Sequence, residues 1–236
     1  MIAELPVYIS IVFGLTTLAT YLIFIGIIKG SSLEIVRRKI TMISFGLIIW
    51  LALQAIVALK EVYKEDVNSF PPKIMLFGIL PAILIIILSF VTAKGRQFID
   101  SLSLTRLAYL HIIRIPVEVV LLWLFLNKAV PQLMTFEGRN FDVLSGITAP
   151  FIAYFGVTKG KLSRGLILLW NFICLGLLLN IVINALLSAP SPFQKIAFDQ
   201  PNIAILNFPF VWLPTFIVPI VLLSHLVSIR RLLMKK

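Results

Sequence analysis

Apolar residues run along this chain in unbroken stretches, each closed by a short polar or basic interval, instead of alternating with polar residues. A helix crosses the hydrocarbon core of a bilayer with about 17–25 mostly apolar residues. Stretches of that length fall at 6–28, 40–60, 74–93, 105–126, 142–158, 163–187 and 208–229. The pattern predicts an all-α, polytopic transmembrane bundle of seven spans, forming one integral-membrane domain over 1–236. A membrane β-barrel is excluded, because its strands would show a period of two. The fifth stretch is the weakest. Ser145, Gly146, Thr148 and Pro150 interrupt it, which suits a short, kinked or partly re-entrant helix.

Composition agrees. The chain is 60% hydrophobic and 13% charged, with a mean hydropathy of +1.04, where a soluble domain carries about 25% charged residues. Of its 21 Lys and Arg, fourteen fall on the inner side if the N-terminus is outside, six fall on the outer side, and Arg114 lies within a span. Basic loops stay inside, so the expected orientation is N-out and C-in. The net charge of +11 then belongs to short cytoplasmic loops that attract anionic lipid headgroups. No Arg/Lys–aromatic groove or motif points to nucleic acid. The segment Met1–Pro6, with Glu4, lacks the basic start of a signal peptide, so the first stretch is kept as a span. The lone Cys174 has no intrachain partner, and no Asn-x-Ser/Thr sequon occurs. The expected location is a plasma membrane, in particular a bacterial inner membrane.

Two internal echoes raise the option of a 3+1+3 arrangement with parallel repeats. Phe77–Ile85 matches Phe210–Val218 around Leu80-Pro81 and Leu213-Pro214, and Gly46–Trp50 matches Gly165–Trp170 with one extra residue.

The informative irregularity lies in the fourth stretch, where His111, Arg114 and Glu118 interrupt an apolar run. Offsets of three, four and seven put them on one helix face. A charge at a helix centre costs about 2.5–3.5 kcal/mol on insertion scales, and intramembrane ionisable groups mark functional sites by default. Arg114 and Glu118 can also form an intrahelical ion pair that merely lowers this cost. Pro116 between them predicts a kink, as do Pro150 and Pro214 in later stretches. In the N-out orientation Gln54, Asn180, Asn184 and Thr215 fall in the same outward halves as Glu118. They form either an outward-facing polar cavity or ordinary interhelical bonds. The loop Thr135–Asp142 adds Glu137, Arg139, Asn140 and Asp142. Gly138 permits a positive-φ turn, Asn140 or Asp142 can cap the next helix, and Arg139 with that helix N-terminus can receive an anion.

No zinc spacing, His-Glu-x-x-His, Walker or dinucleotide glycine pattern is present, so neither a metal nor a cofactor is expected. The last stretch has no lysine for a retinal Schiff base, and His225 beside Ser224 and Ser228 reads as a packing histidine. Three functions remain. The first is binding or transport of a small polar or anionic solute, with Glu118 as a proton-coupling carboxylate. The second is an enzyme acting on a lipid or isoprenoid. The third is a non-catalytic subunit that binds another membrane protein or a second copy. An enzyme is the less favoured class, and the bilayer is the expected partner in all three.

Overall fold

The computed structural model describes residue 2 and residues 5–234. Met1 and Glu4 of the amino-terminal reading, and Lys235 and Lys236 of the basic inner side, lie outside the described residues. The chain is 72% helical, with no strand among the described residues. Among the described residues, five helices are long and apolar enough to cross a membrane. They are α1 (Val7–Lys29), α3 (Ile40–Leu59), the segment Leu104–Leu126, α9 (Arg164–Ser188) and the segment Leu213–Leu233. A five-residue helix, α2 (Glu34–Arg38), joins the first two.

The other two expected spans take different forms. Met75–Val91, which ends in α4 (Leu80–Val91), turns by 91° into α5 (Ala93–Asp100). Thr92 makes that corner. Its side chain accepts from the Gly95 amide at 3.0 Å, and a Cβ on Gly95 would stand 2.6 Å from Ser89 Cα. Only glycine lets the two helices approach so closely. The fifth stretch gives Val143–Thr158, made of α8 (Val143–Phe151) and a π-helical turn, and it is shorter than the other apolar helices.

Prolines set the irregular turns. A proline removes an amide and clashes with the preceding turn, so the hydrogen-bond ladder widens or tightens nearby. Widened π-helical turns at Met75–Ile79, Ile152–Thr158 and Leu213–Ile217 adjoin or contain Pro81, Pro150 and Pro214. Near Pro116 the irregularity sits one turn earlier. The fourth segment runs as α6 (Leu104–Leu110), a tight 3-10 turn His111–Ile113, then α7 (Arg114–Leu126). Pro116 falls in the first turn of α7, where a missing amide costs least. The last segment starts at Leu213 rather than 208, because Asn207–Val211 form a turn closed by Val211 N–H to the Asn207 carbonyl. Its α10 (Val218–Leu233) ends the described helices.

Polar contacts fasten both ends of the bundle. At one end Arg230 pairs bidentately with Asp100 at 2.9 and 3.0 Å. Arg106 donates to the Gly26 carbonyl, Arg164 to the Leu232 carbonyl and Arg231 to the Leu102 carbonyl. Cationic side chains thus bond to carbonyls in or just past the last turns of helices. At the other end Gln200 donates to the Val130 carbonyl at 2.6 Å, and Ile203 N–H bonds to Ala129. The Ser188–Asn207 loop is therefore tied down on α7. Between these ends α3 and the last π turn clasp each other. Trp50 donates to the Thr215 carbonyl and Trp212 to the Leu51 carbonyl, each at 2.9 Å.

Candidate functional site

Arg114, Glu118 and Asp142 are 3%, 1% and 4% exposed, and they come together where α7 meets α8. The close approach has a visible cause. A Cβ on Gly146 would lie 2.8 Å from the Ile115 side chain and 3.1 Å from its backbone nitrogen, so the absence of a side chain lets α8 press on the 3-10 turn. Asp142 precedes α8 and is carried onto Arg114, with Nε 3.0 Å from Oδ2. This is an ion pair by distance, but the Nε–H is not aligned on the oxygen. Arg114 Nη2 also donates to the Cys174 carbonyl of α9 at 3.3 Å.

Glu118 is not the partner of Arg114. Its two carboxylate oxygens accept from the Asn140 amide at 2.6 and 2.7 Å, and the same nitrogen reaches the Met134 carbonyl at 3.1 Å. Asn140 Oδ1 accepts from the Asp142 amide at 3.1 Å, a local turn that holds both residues in place. The expected Arg114–Glu118 ion pair is therefore replaced by two contacts from one loop. A loop acid reaches Arg114, and a loop amide reaches Glu118.

Other parts of that loop behave differently from expectation. Gly138 does not have positive φ. The tight packing behind it is what requires glycine, since a Cβ there would meet the Gln132 carbonyl oxygen at 2.2 Å. Neither Asn140 nor Asp142 caps α8 through its side chain, because both are engaged in the interior. Glu137 and Arg139 are exposed, and Arg139 contributes only its carbonyl, which accepts from Asn180 at 2.8 Å.

His111 leaves the stripe it was expected to share with Glu118. It stacks on His225 with ring centroids 3.9 Å apart, and Trp170 packs edge-on at 5.6 Å. Ser224 donates to the Leu107 carbonyl at 3.0 Å, so its oxygen accepts from His111 Nε2 at 3.2 Å. Asn171 donates to the Ile167 carbonyl, and its oxygen accepts from His225 Nδ1 at 3.1 Å. The partners assign one proton to each ring. Asn171 was not singled out in the sequence, although it lies on the buried stripe of α9 with Ile167, Cys174, Leu178 and Ile181.

The remaining candidates are satisfied elsewhere. Gln54 donates to the Phe77 carbonyl at 3.1 Å and accepts from Tyr63 at 2.6 Å. Burial pushes the Tyr63 phenol up to about 12, so it remains a donor at neutral pH. Thr215 bonds back to the Val211 carbonyl and lies against Gly78, where a Cβ would meet its methyl at 2.7 Å. Asn184 donates to Asn180 at 3.3 Å.

Arg114, Glu118 and Asp142 close one end of a cleft of about 150 Å³. Its other walls are apolar: Met75, Ile79 and Ile83, Leu178 to Leu186 of α9, and Leu213 to Leu222 of the last segment. Gln54, Asn180, Asn184 and Thr215 do not line it. Leu179 in its wall is 46% exposed, on the surface that faces lipid if the bundle is embedded. Met75, Leu186 and Ile205 are shared with a second cavity of about 210 Å³ reaching Tyr63 and Lys73. The two cavities adjoin at these residues, and Arg114, Glu118 and Asp142 lie on the first alone.

Neither the curated proteins nor the solved structures include a match to this chain. One family model, described as Domain of unknown function (DUF8737), matches residues 71–233 and so takes in the cleft, its charged end and the histidine stack. On that match the chain belongs to the DUF8737 family.

Proposed function

We propose that this is a multi-pass membrane protein that binds a lipid-like amphiphile inside the bundle. The observation that carries this reading is the cleft itself, whose long apolar walls end in Arg114, Asp142 and Glu118. A chain of methylenes suits such walls, at about 0.8 kcal/mol per buried CH2, whereas a small polar solute would leave them unfilled. A polar head suits the inner end, where Arg114 Nη1 and Asp142 Oδ1 are buried without partners. A ligand from the bilayer would enter past the exposed Leu179.

The same reading places all seven helical segments in the membrane, with Met75–Val91 crossing, α5 along the interface and Val143–Thr158 as the short span. The basic residues at the Arg230–Asp100 end make that end cytoplasmic, in the N-out, C-in sense.

Photolabelling tests the proposal. Purified protein in phosphatidylcholine vesicles is exposed to a single-chain alkyl probe bearing a diazirine, and the labelled peptides are mapped. The expected adducts fall on 75–83, 178–186 and 213–222, and Val182→Trp, which fills the cleft, removes them. Labelling confined to the exposed face of α3 and unchanged in Val182→Trp would overturn the proposal.

A further inference from the structure

The amphiphile reading leaves the chemistry of the head open, and the charge balance at the inner end narrows it. The ionisable groups lining the cleft are Arg114, Glu118 and Asp142, which sum to one negative charge in their ordinary ionisation states. Arg114 is matched by Asp142 at 3.0 Å. Glu118 has no cation within ion-pair distance, and the nearby Arg114 is already engaged by Asp142. Its oxygens lie 2.6 and 2.7 Å from the nitrogen of a neutral amide. A buried carboxylate with no ion-pair partner of its own is costly when ionised and is relieved by a cation.

Two further atoms point to a ligand. Asp142 Oδ1 is a buried acceptor with no donor, and Arg114 Nη1 is a buried donor with no acceptor. Both residues line the cleft beside Glu118. Neither histidine lines the cleft, and Ser224 and Asn171 engage one ring nitrogen of each. An anionic head would meet a region that already carries excess negative charge.

We infer that the cleft selects a single-chain amphiphile with an ammonium head and a neighbouring hydroxyl or carbonyl oxygen. The ammonium donates to Glu118 and to Asp142 Oδ1, and the oxygen accepts from Arg114 Nη1. The assignment rests on the amphiphile reading, and it can fail while that reading stands.

The test is competition against the photolabel by four compounds of one chain length: a primary amine, an aminoalcohol, an alcohol and an alkyl sulfate. Each is presented at equal mole fraction in phosphatidylcholine vesicles at neutral pH. The amine is expected to compete at least tenfold better than the alcohol, the aminoalcohol better still, and the sulfate least. In Glu118→Gln the advantage of amine over alcohol collapses to within about twofold. The wild-type ranking decides the matter even if that variant fails to fold. Equal potency of amine and alcohol would mean that Glu118 carries a proton instead, and would overturn the inference, as would preference for the sulfate. Cleft labelling with the wrong head ranking refutes the inference alone. Labelling that is absent from the cleft removes the amphiphile reading and this assignment together.

Discussion

Asp142 shows how much one side chain can hold in place. It neutralises a guanidinium that is 3% exposed, so its loss leaves a buried charge unpaired. Asp142→Asn is expected to destabilise the protein by about 3–5 kcal/mol. The double change Arg114→Met with Asp142→Leu, which removes both charges, should cost much less. Denaturant titration in mixed micelles measures both. A double variant no more stable than the single one would show that the pair is not the source of the effect. At this scale the sequence disclosed the irregularity but not its resolution. Arg114 and Glu118 stand out against an apolar run, and spacing alone pairs them with each other. Their true partners, Asp142 and Asn140, lie on a loop more than twenty residues away, and no helical periodicity links the two. His225 was legible only as a packing residue, since its stack on His111 depends on how two distant segments cross.

Among the elements, α8 is positioned by an absence. Gly146 lets it settle on the His111–Ile115 turn, and that contact delivers Asp142 to Arg114. Gly146→Val inserts side-chain volume where a Cβ already meets Ile115 at 2.8 Å, which overpacks the interface by about 1–3 kcal/mol. The expected result is a lower unfolding midpoint together with weaker amphiphile labelling. Unchanged labelling would mean that α8 can move without disturbing the site. The elements themselves were well marked in the sequence, because continuous apolar runs force helices wherever backbone groups cannot reach water. The boundaries near proline were not. Pro116, Pro150 and Pro214 announced irregular turns, yet whether a turn tightens or widens depends on the neighbour that takes up the freed carbonyl. Trp50 does so for the Thr215 carbonyl, which stands four residues before Pro219.

For the whole molecule, the number of crossings is the open geometric question, and chemical access answers it. Cys174 is buried, so a Cys174→Ala background carries single reporters cleanly. Glu137→Cys and Lys159→Cys flank Val143–Thr158 at exposed positions. An impermeant maleimide should reach Glu137→Cys on intact cells and Lys159→Cys only after permeabilisation. Reaction of both from one side would make Val143–Thr158 a re-entrant hairpin arm rather than a span. The proposed orientation rests on the distribution of basic residues. Their second role, closing carbonyls at the Arg230–Asp100 end, was invisible without the packing of α1, α5, α9 and α10. The segment Met134–Asp142 has a consequence beyond architecture. Asn140 and Asp142 reach the interior while Glu137 and Arg139, just before them, remain exposed. The loop is therefore a lever with its short arm in the cleft. A molecule that occupies the charged end must move, or be held by, the strip of chain that an antibody can touch, so a surface-directed binder becomes a reporter of interior occupancy.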